Sequence, residues 1–189
     1  MQKSKIIYII VIIFYLITTK FTLAHENCNE ITIGFSPGNS AKNIILHAIE
    51  NAKSSIDIAA YSFTSKPITL ALINAQNKGI KIRIVADKKS NTNKYTAVTY
   101  LVNHKIPVKL NDKYSIMHNK FMIFDNNSVQ TGSFNYTQNA ISRNAENIIY
   151  VKNNIKIAKI YTNEFNRLWK ESIKVYPNIF IGNNFIKNK

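Results

Sequence analysis

Apolar positions recur along this chain in two rhythms, and each change of rhythm marks an element. "ITIGF" (31–35) alternates and predicts a strand. Turn chemistry follows from Ser36 to Ser40, with Ser40 placed to cap a helix. Ile44, Ile45, Ala48, Ile49 and Ala52 then return at helical spacing. "SIDIAAY" (55–61) reads as a second strand. Ser65 and Pro67 open a second helix, with Ile68, Leu70, Ala71, Leu72 and Ala75 on its apolar face and Gly79 at its end. "IKIRIVAD" (80–87) is a third strand, with Ile80, Ile82, Ile84 and Ala86 on one side. Residues 88–94 are a polar, Lys/Asn-rich loop, and a third helix runs from about Tyr95 to Asn103. Pro107 belongs to the strand or turn after it, and 110–116 form another polar loop. "NKFMIFD", an Asp-Asn-Asn turn and "SVQTGSFN" predict a hairpin. "ENIIYV" (146–151) is a further strand, and 155–169 is a helix. The tail from Pro177 shows no clear period. Strand and helix alternate early and strands crowd together late. The fold class is therefore α/β, a mixed β-sheet flanked by helices in one domain, without internal repeats.

Composition adds a boundary and a partner. The chain has 189 residues and a formal charge of +15. Its N-terminus carries Lys3 and Lys5, then an unbroken apolar run from Ile6 to Ile17, too short for a comfortable membrane span. Thr22-Leu23-Ala24 places small residues where a signal peptidase reads, so 1–24 is expected to be a signal peptide cleaved after Ala24, with an uncleaved anchor as the alternative. Residues 25–176 then form the domain and 177–189 a C-terminal tail, in a secreted or periplasmic protein. Cleavage removes Lys3, Lys5 and Lys20 and no acid, leaving +12. Such a surplus favours a polyanionic partner, nucleic acid or an acidic membrane surface, with solubility alone as the alternative. The single cysteine, Cys28, cannot form an internal disulfide.

The chemistry gathers in "MHNKFMIFDNNSVQTGSFNYT" (117–137). A period of two puts His118 and Lys120 on one face, about 7 Å apart. Ser133 and Asn135 share that period on the next strand, and pairing through the turn at Asn126-Asn127 brings the four together. Gly132 is expected to let the backbone approach a bound group. Glu146 opens another strand within reach of the His118 ring. Neutral imidazole is a nucleophile near pH 7. A phosphodiester is anionic and repels attack, so Lys120, Ser133 and Asn135 fit its non-bridging oxygens. A carboxylate such as Glu146 on the second ring nitrogen would fix the tautomer. No metal or other cofactor is needed. One imidazole cannot be nucleophile and general acid in the same step. His25, His47 and His104 do not repeat the His-x-Lys pattern, so a second copy of the chain is expected to supply the acid.

His-x-Lys alone recurs by chance in a lysine-rich chain. Asp125 at its spacing, Gly132-Ser133-x-Asn135 and Glu146 at a strand head together make coincidence remote. "HNKFMIFD" with "GSFN" downstream resembles the H-x-K-x4-D and G-S-x-N signature of the phospholipase D superfamily. "GFSPGNSAKNIILHAIENAKSSIDIAAYSFTS", "GIKIRIVAD" and "NAENIIYV" are similar to the single-motif bacterial endonucleases of that superfamily, from about Ile33 to Trp169. The resemblance implies a metal-independent homodimer of one-domain subunits acting on DNA. It implies His118 as nucleophile in one subunit and general acid in the other, through a phosphohistidine. It implies Lys120, Ser133 and Asn135 as phosphate ligands and Glu146 as the partner of His118. Asp125 is counted with the site and is, in that family, more structural than catalytic.

The leading expectation is a phosphodiesterase acting as a non-specific endonuclease on DNA, with RNA a further substrate. The alternatives are a phospholipase D acting on phospholipid head groups and a catalytically silent nucleic-acid-binding protein. His47 is expected to pack or face solvent, and His104 to complement a helix dipole. Tyr61, Phe63 and Tyr136 are either base-stacking rings or core. Lys88, Lys89 and Lys94 are either a rim for the polymer backbone or a solvated loop. Arg143 and Asn144 are loop residues, Arg143 near enough to the site to touch phosphate.

Overall fold

The computed structural model describes residues 30–93 and 96–177; the expected signal peptide, Cys28, Lys94, Tyr95 and the tail beyond Pro177 lie outside the described residues. Runs of period two become strands β1 (Glu30–Ser36), β2 (Ser55–Ala60), β3 (Lys81–Asp87), β4 (Val108–Asn111), β5 (Lys120–Phe124), β6 (Ser128–Gly132), β7 (Glu146–Lys152) and β8 (Ile173–Lys174). Runs of helical period become α1 (Ser40–Asn51), α2 (Lys66–Asn77), α3 (Ala97–Asn103), α4 (Gln138–Ser142) and α5 (Ile155–Glu171), with a single 3-10 turn at Lys89–Asn91. The short α4 and β8 are additions to the sequence reading. Ser40 begins α1 rather than capping it. Its hydroxyl accepts from the Phe35 amide and donates to the Phe35 carbonyl, tying the helix to β1.

All eight strands join one sheet in the order β1-β7-β6-β5-β2-β3-β4-β8. β2, β3 and β4 run parallel, and the remaining ladders are antiparallel. This polarity brings the ends of β1, β2 and β6 and the starts of β5 and β7 to one rim. There Ala60 faces Lys120, Gly132 faces Ile148 and Ser36 faces Glu146.

Alternation along each strand divides the core. Ile56, Ile58, Ile82, Ile84, Met122 and Phe124 point to one face, where α1 to α4 pack over them. Ala59, Val85, Phe121, Ile123 and Val129 point to the other, under Ala158, Phe165 and Leu168 of α5. Each fully buried isoleucine contributes roughly 2 kcal/mol of transfer free energy. α5 crosses β6, β5, β2, β3 and β4. Among the described residues no helix covers the same face of β1 and β7, where Ile31 (61%), Ile33 (55%), Phe35 (61%) and Ile149 (40%) are exposed.

Candidate active site

β5 begins at Lys120, so His118 lies in the extended segment before the strand rather than within it. That segment is tied down by Asp87, the buried last residue of β3. One Asp87 oxygen accepts from the Met117 amide at 2.9 Å and the other from the Ser90 amide at 2.8 Å. His118 itself is exposed, while Lys120 is 8% exposed. The Lys120 Nζ donates to the His118 carbonyl at 2.8 Å and sits 5.2 Å from the centroid of the Tyr61 ring. The His118 ring meets Tyr61 at 4.5 Å between centroids, with an interplanar angle of 66°. Burial lowers the Lys120 pKa, and the negative charge of Glu146 acts in the opposite sense. An ammonium has three donors, and the His118 carbonyl takes one, so donors remain for an anionic ligand.

The other half of the site follows β6. Gly132 has φ 152°, and a Cβ there would fall 2.2 Å from the Asn147 carbonyl oxygen. The expected close approach is therefore made to the β7 backbone, not to a ligand. It delivers Ser133 beside β7: the Ser133 amide donates to the Asn147 carbonyl, and the Asn147 amide donates to the Ser133 hydroxyl. Ser133 Oγ then donates to Glu146 Oε2 at 2.6 Å, and Asn144 Nδ2 donates to Glu146 Oε1 at 2.9 Å. Both oxygens of Glu146 are thus engaged by Ser133 and Asn144, and within one copy of the chain the structure does not bring the expected imidazole–carboxylate pair together. The reason is strand order. β7 borders β6, whose end carries Ser133, and β5 lies one strand further, about 5 Å beyond. Asn135 is half-buried, and its buried Oδ1 has no hydrogen-bond partner among the described residues.

Asp125 lies elsewhere. It stands at the opposite end of β5, five positions and about 16 Å beyond Lys120 at roughly 3.3 Å per residue. Its carboxylate accepts from the amides of Lys53, Ser54 and Ser55 and from the Ser54 hydroxyl. It anchors the entry to β2, a structural place at the far end of the strand from Lys120. Burial acts to raise its pKa, but those hydrogen bonds outweigh it and hold the carboxyl below its ordinary value.

The remaining candidates divide as follows. Phe63 and Tyr136 have no exposed surface and are core, whereas Tyr61 is half-buried at the site. Lys88 pairs with Asp112 at 2.6 Å, and Lys89 reaches the Ser115 carbonyl. Arg143 is exposed at the end of α4, and His47 is exposed on α1. A ring nitrogen of His104, at the end of α3, lies 2.8 Å from the Tyr100 carbonyl. Two contributors were not legible in the sequence. Asn144 orients Glu146, and Asn91, with no exposed surface, bonds the backbone of Tyr61 and Phe63. In a chain so rich in asparagine neither carries a distinguishing signal.

The geometry has counterparts in known proteins. The family described as cardiolipin synthase, PLD-like domain, matches residues 45–169. A protein named phospholipase D from Rickettsia prowazekii (strain Madrid E) is 36% identical over 141 residues, which is 75% of this chain and 68% of that protein. The mitochondrial cardiolipin hydrolase of Homo sapiens is 28% identical over 138 residues, 73% of this chain and 54% of that protein. Among solved structures, Nuc from Salmonella typhimurium, described as a phospholipase D family member, superposes with a TM-score of 0.77 at 35% identity, over 78% of this chain and 99% of that one. NucT from Helicobacter pylori superposes at 0.70 with 26% identity, again over 78% of this chain and 99% of that one.

Proposed function

The chain belongs to the phospholipase D superfamily and is a phosphodiesterase of it, and from this premise we propose that it cleaves nucleic acid through a phosphohistidine in a homodimer. The observation that carries the reading is an exposed imidazole, His118, backed by a buried ammonium, Lys120, whose one protein acceptor among the described residues is the His118 carbonyl. A ring nitrogen of His118 attacks phosphorus while the leaving oxygen takes a proton from the His118 imidazolium of a second copy. Water then attacks phosphorus, gives its proton to that now neutral imidazole, and the P–N bond breaks to free His118. Lys120 neutralises a non-bridging oxygen and Asn135 directs its amide donors at the same group, whereas the single Ser133 O–H, given to Glu146 in the free site, must turn from that carboxylate to reach the phosphate. Glu146 orients the Ser133 hydroxyl and sustains the charge on Lys120.

The bare face of β1 and β7 supports the second copy. Its isoleucines and Phe35 reach the rim at the site, where Ser36 faces Glu146. An isologous pairing through this face covers that apolar surface and brings two incomplete sites together. The excess positive charge supports a polyanionic substrate, gathered in a salt-sensitive way. The apolar run at Ile6–Ile17 supports export, and N-terminal sequencing of the exported product, with Ala24 as the expected cleavage point, tests it.

A second reading, hydrolysis of phospholipid head groups, is favoured by the name of the Rickettsia relatives. No helix among the described residues is long and apolar enough to cross a membrane. Incubation with plasmid DNA, RNA and phosphatidylcholine vesicles, all in excess chelator, separates the readings. The expected result is nicked plasmid with wild type and none with His118→Ala, which still binds DNA. Nicking by His118→Ala, or cleavage of vesicle lipid alone, overturns the nuclease reading.

A further inference from the structure

Tyr61 is the first residue past β2, next to Ala60, which faces Lys120 across the β2–β5 ladder. Its ring meets both reactive groups, with His118 edge to face at 4.5 Å and the Lys120 ammonium 5.2 Å from its centroid. The backbone under that ring is clamped. Asn91 Nδ2 donates to the Tyr61 carbonyl at 2.5 Å and to the Asp87 carbonyl at 2.8 Å, and its Oδ1 accepts from the Phe63 amide at 3.0 Å. Phe63, two residues on, is fully buried and bridges to Tyr136. The backbone is anchored on the core side while the Tyr61 ring is left half-buried at the site.

We infer that Tyr61 is a positioning residue: its ring holds the His118 imidazole in orientation and gives the Lys120 ammonium an electron-rich face, with the phenolic hydroxyl dispensable. The inference rests on the roles assigned above to His118 and Lys120. An aromatic face attracts cations, so the ring favours the charged form of a lysine that burial disfavours. Other charged groups nearby are already accounted for. Glu146, at the head of β7, favours the ammonium. Asp87, at the end of β3, is taken up by the Ser90 and Met117 amides. Lys88 is paired with Asp112, and Lys89 is bonded to the Ser115 carbonyl. The ring also limits the swing of an imidazole that makes no hydrogen bond of its own among the described residues, and misplacing a nucleophile is costly in rate.

The test compares wild type, Tyr61→Phe and Tyr61→Leu, with folding checked by near-ultraviolet circular dichroism. Tyr61→Phe is expected to keep kcat and KM within about twofold, because the face is intact. Tyr61→Leu is expected to lose about tenfold in kcat with KM nearly unchanged, and the alkaline limb of its pH profile should move about 0.5 lower. In NMR spectra the His118 ring protons should be ring-current shifted in wild type and Tyr61→Phe, and near free-imidazole positions in Tyr61→Leu. Should Tyr61→Leu fail to fold, Tyr61→Met makes the same comparison. Wild-type kcat and an unmoved alkaline limb in the leucine variant overturn the inference, as do equal losses in the phenylalanine variant. If wild type cleaves neither nucleic acid nor phospholipid, the proposed function falls, and the ring-proton shifts still decide whether Tyr61 holds His118.

Discussion

Replacing Asp125 by alanine should weaken the fold and spare the chemistry. The carboxylate accepts three backbone amides and one hydroxyl at the entry to β2. Charge-assisted hydrogen bonds are each worth about 1.5–3 kcal/mol when protected, but water reaches this turn and replaces much of that, leaving about 2 kcal/mol. Asp125 also has φ 53°, a left-handed conformation that costs alanine about another 1 kcal/mol and asparagine less. The expected loss in urea unfolding is therefore about 3 kcal/mol for Asp125→Ala and about 1 kcal/mol for Asp125→Asn. Acid should expose the same contact. The folded carboxyl titrates below its unfolded value, so its contribution is complete above about pH 4–5 and is lost as pH falls through the folded pKa. Wild type should lose its advantage over Asp125→Asn in that range. With Asp125 about 16 Å along the strand from Lys120, kcat/KM of the folded variant should stay within about threefold of wild type. A loss of a hundredfold in kcat/KM at unchanged stability would refute this reasoning and return Asp125 to the catalytic group.

Three further outcomes follow from the rim. Lys120→Met should lower kcat/KM by about a thousandfold, and because burial depresses the Lys120 pKa, wild-type activity should fall off on the alkaline side below the free-lysine value of about 10.4; a flat profile to that pH refutes the role of the ammonium. Ser133→Ala removes the donor to Glu146 Oε2 and the acceptor of the Asn147 amide, and should cost about a hundredfold in kcat, measured by steady-state cleavage. Ile33→Asp, on the bare face of β1, should give a folded monomer by light scattering with little activity; an active monomer removes the need for a second copy.

Most of the fold was legible because its strands and longer helices bury continuous stripes. Ile82, Ile84 and Ala86 go to one core as their alternation implies, and the helix expected over 155–169 closes the other. α4 and β8, of five and two residues, are too short to display a period. His118, Lys120, Ser133 and Glu146 were legible as a chemical set because each has a distinctive group at a fixed spacing. Their partners were not. Glu146 pairs with Ser133 rather than His118 because strand order in the sheet decides adjacency, and no local pattern encodes that order. Gly132 announced a close approach, but only the β6–β7 register shows that the approaching group is the Asn147 carbonyl.

Asp87 joins the turn at Ser90 to the segment bearing His118 through the two oxygens of one carboxylate. Asn91 ties that same turn to Tyr61. Insertions in this turn would pull on the segment bearing His118, whereas exchanging Lys88 or Lys89 alters what the outer surface offers a ligand. Divergence toward new substrates in this scaffold should therefore proceed by swapping side chains on a turn of constant length.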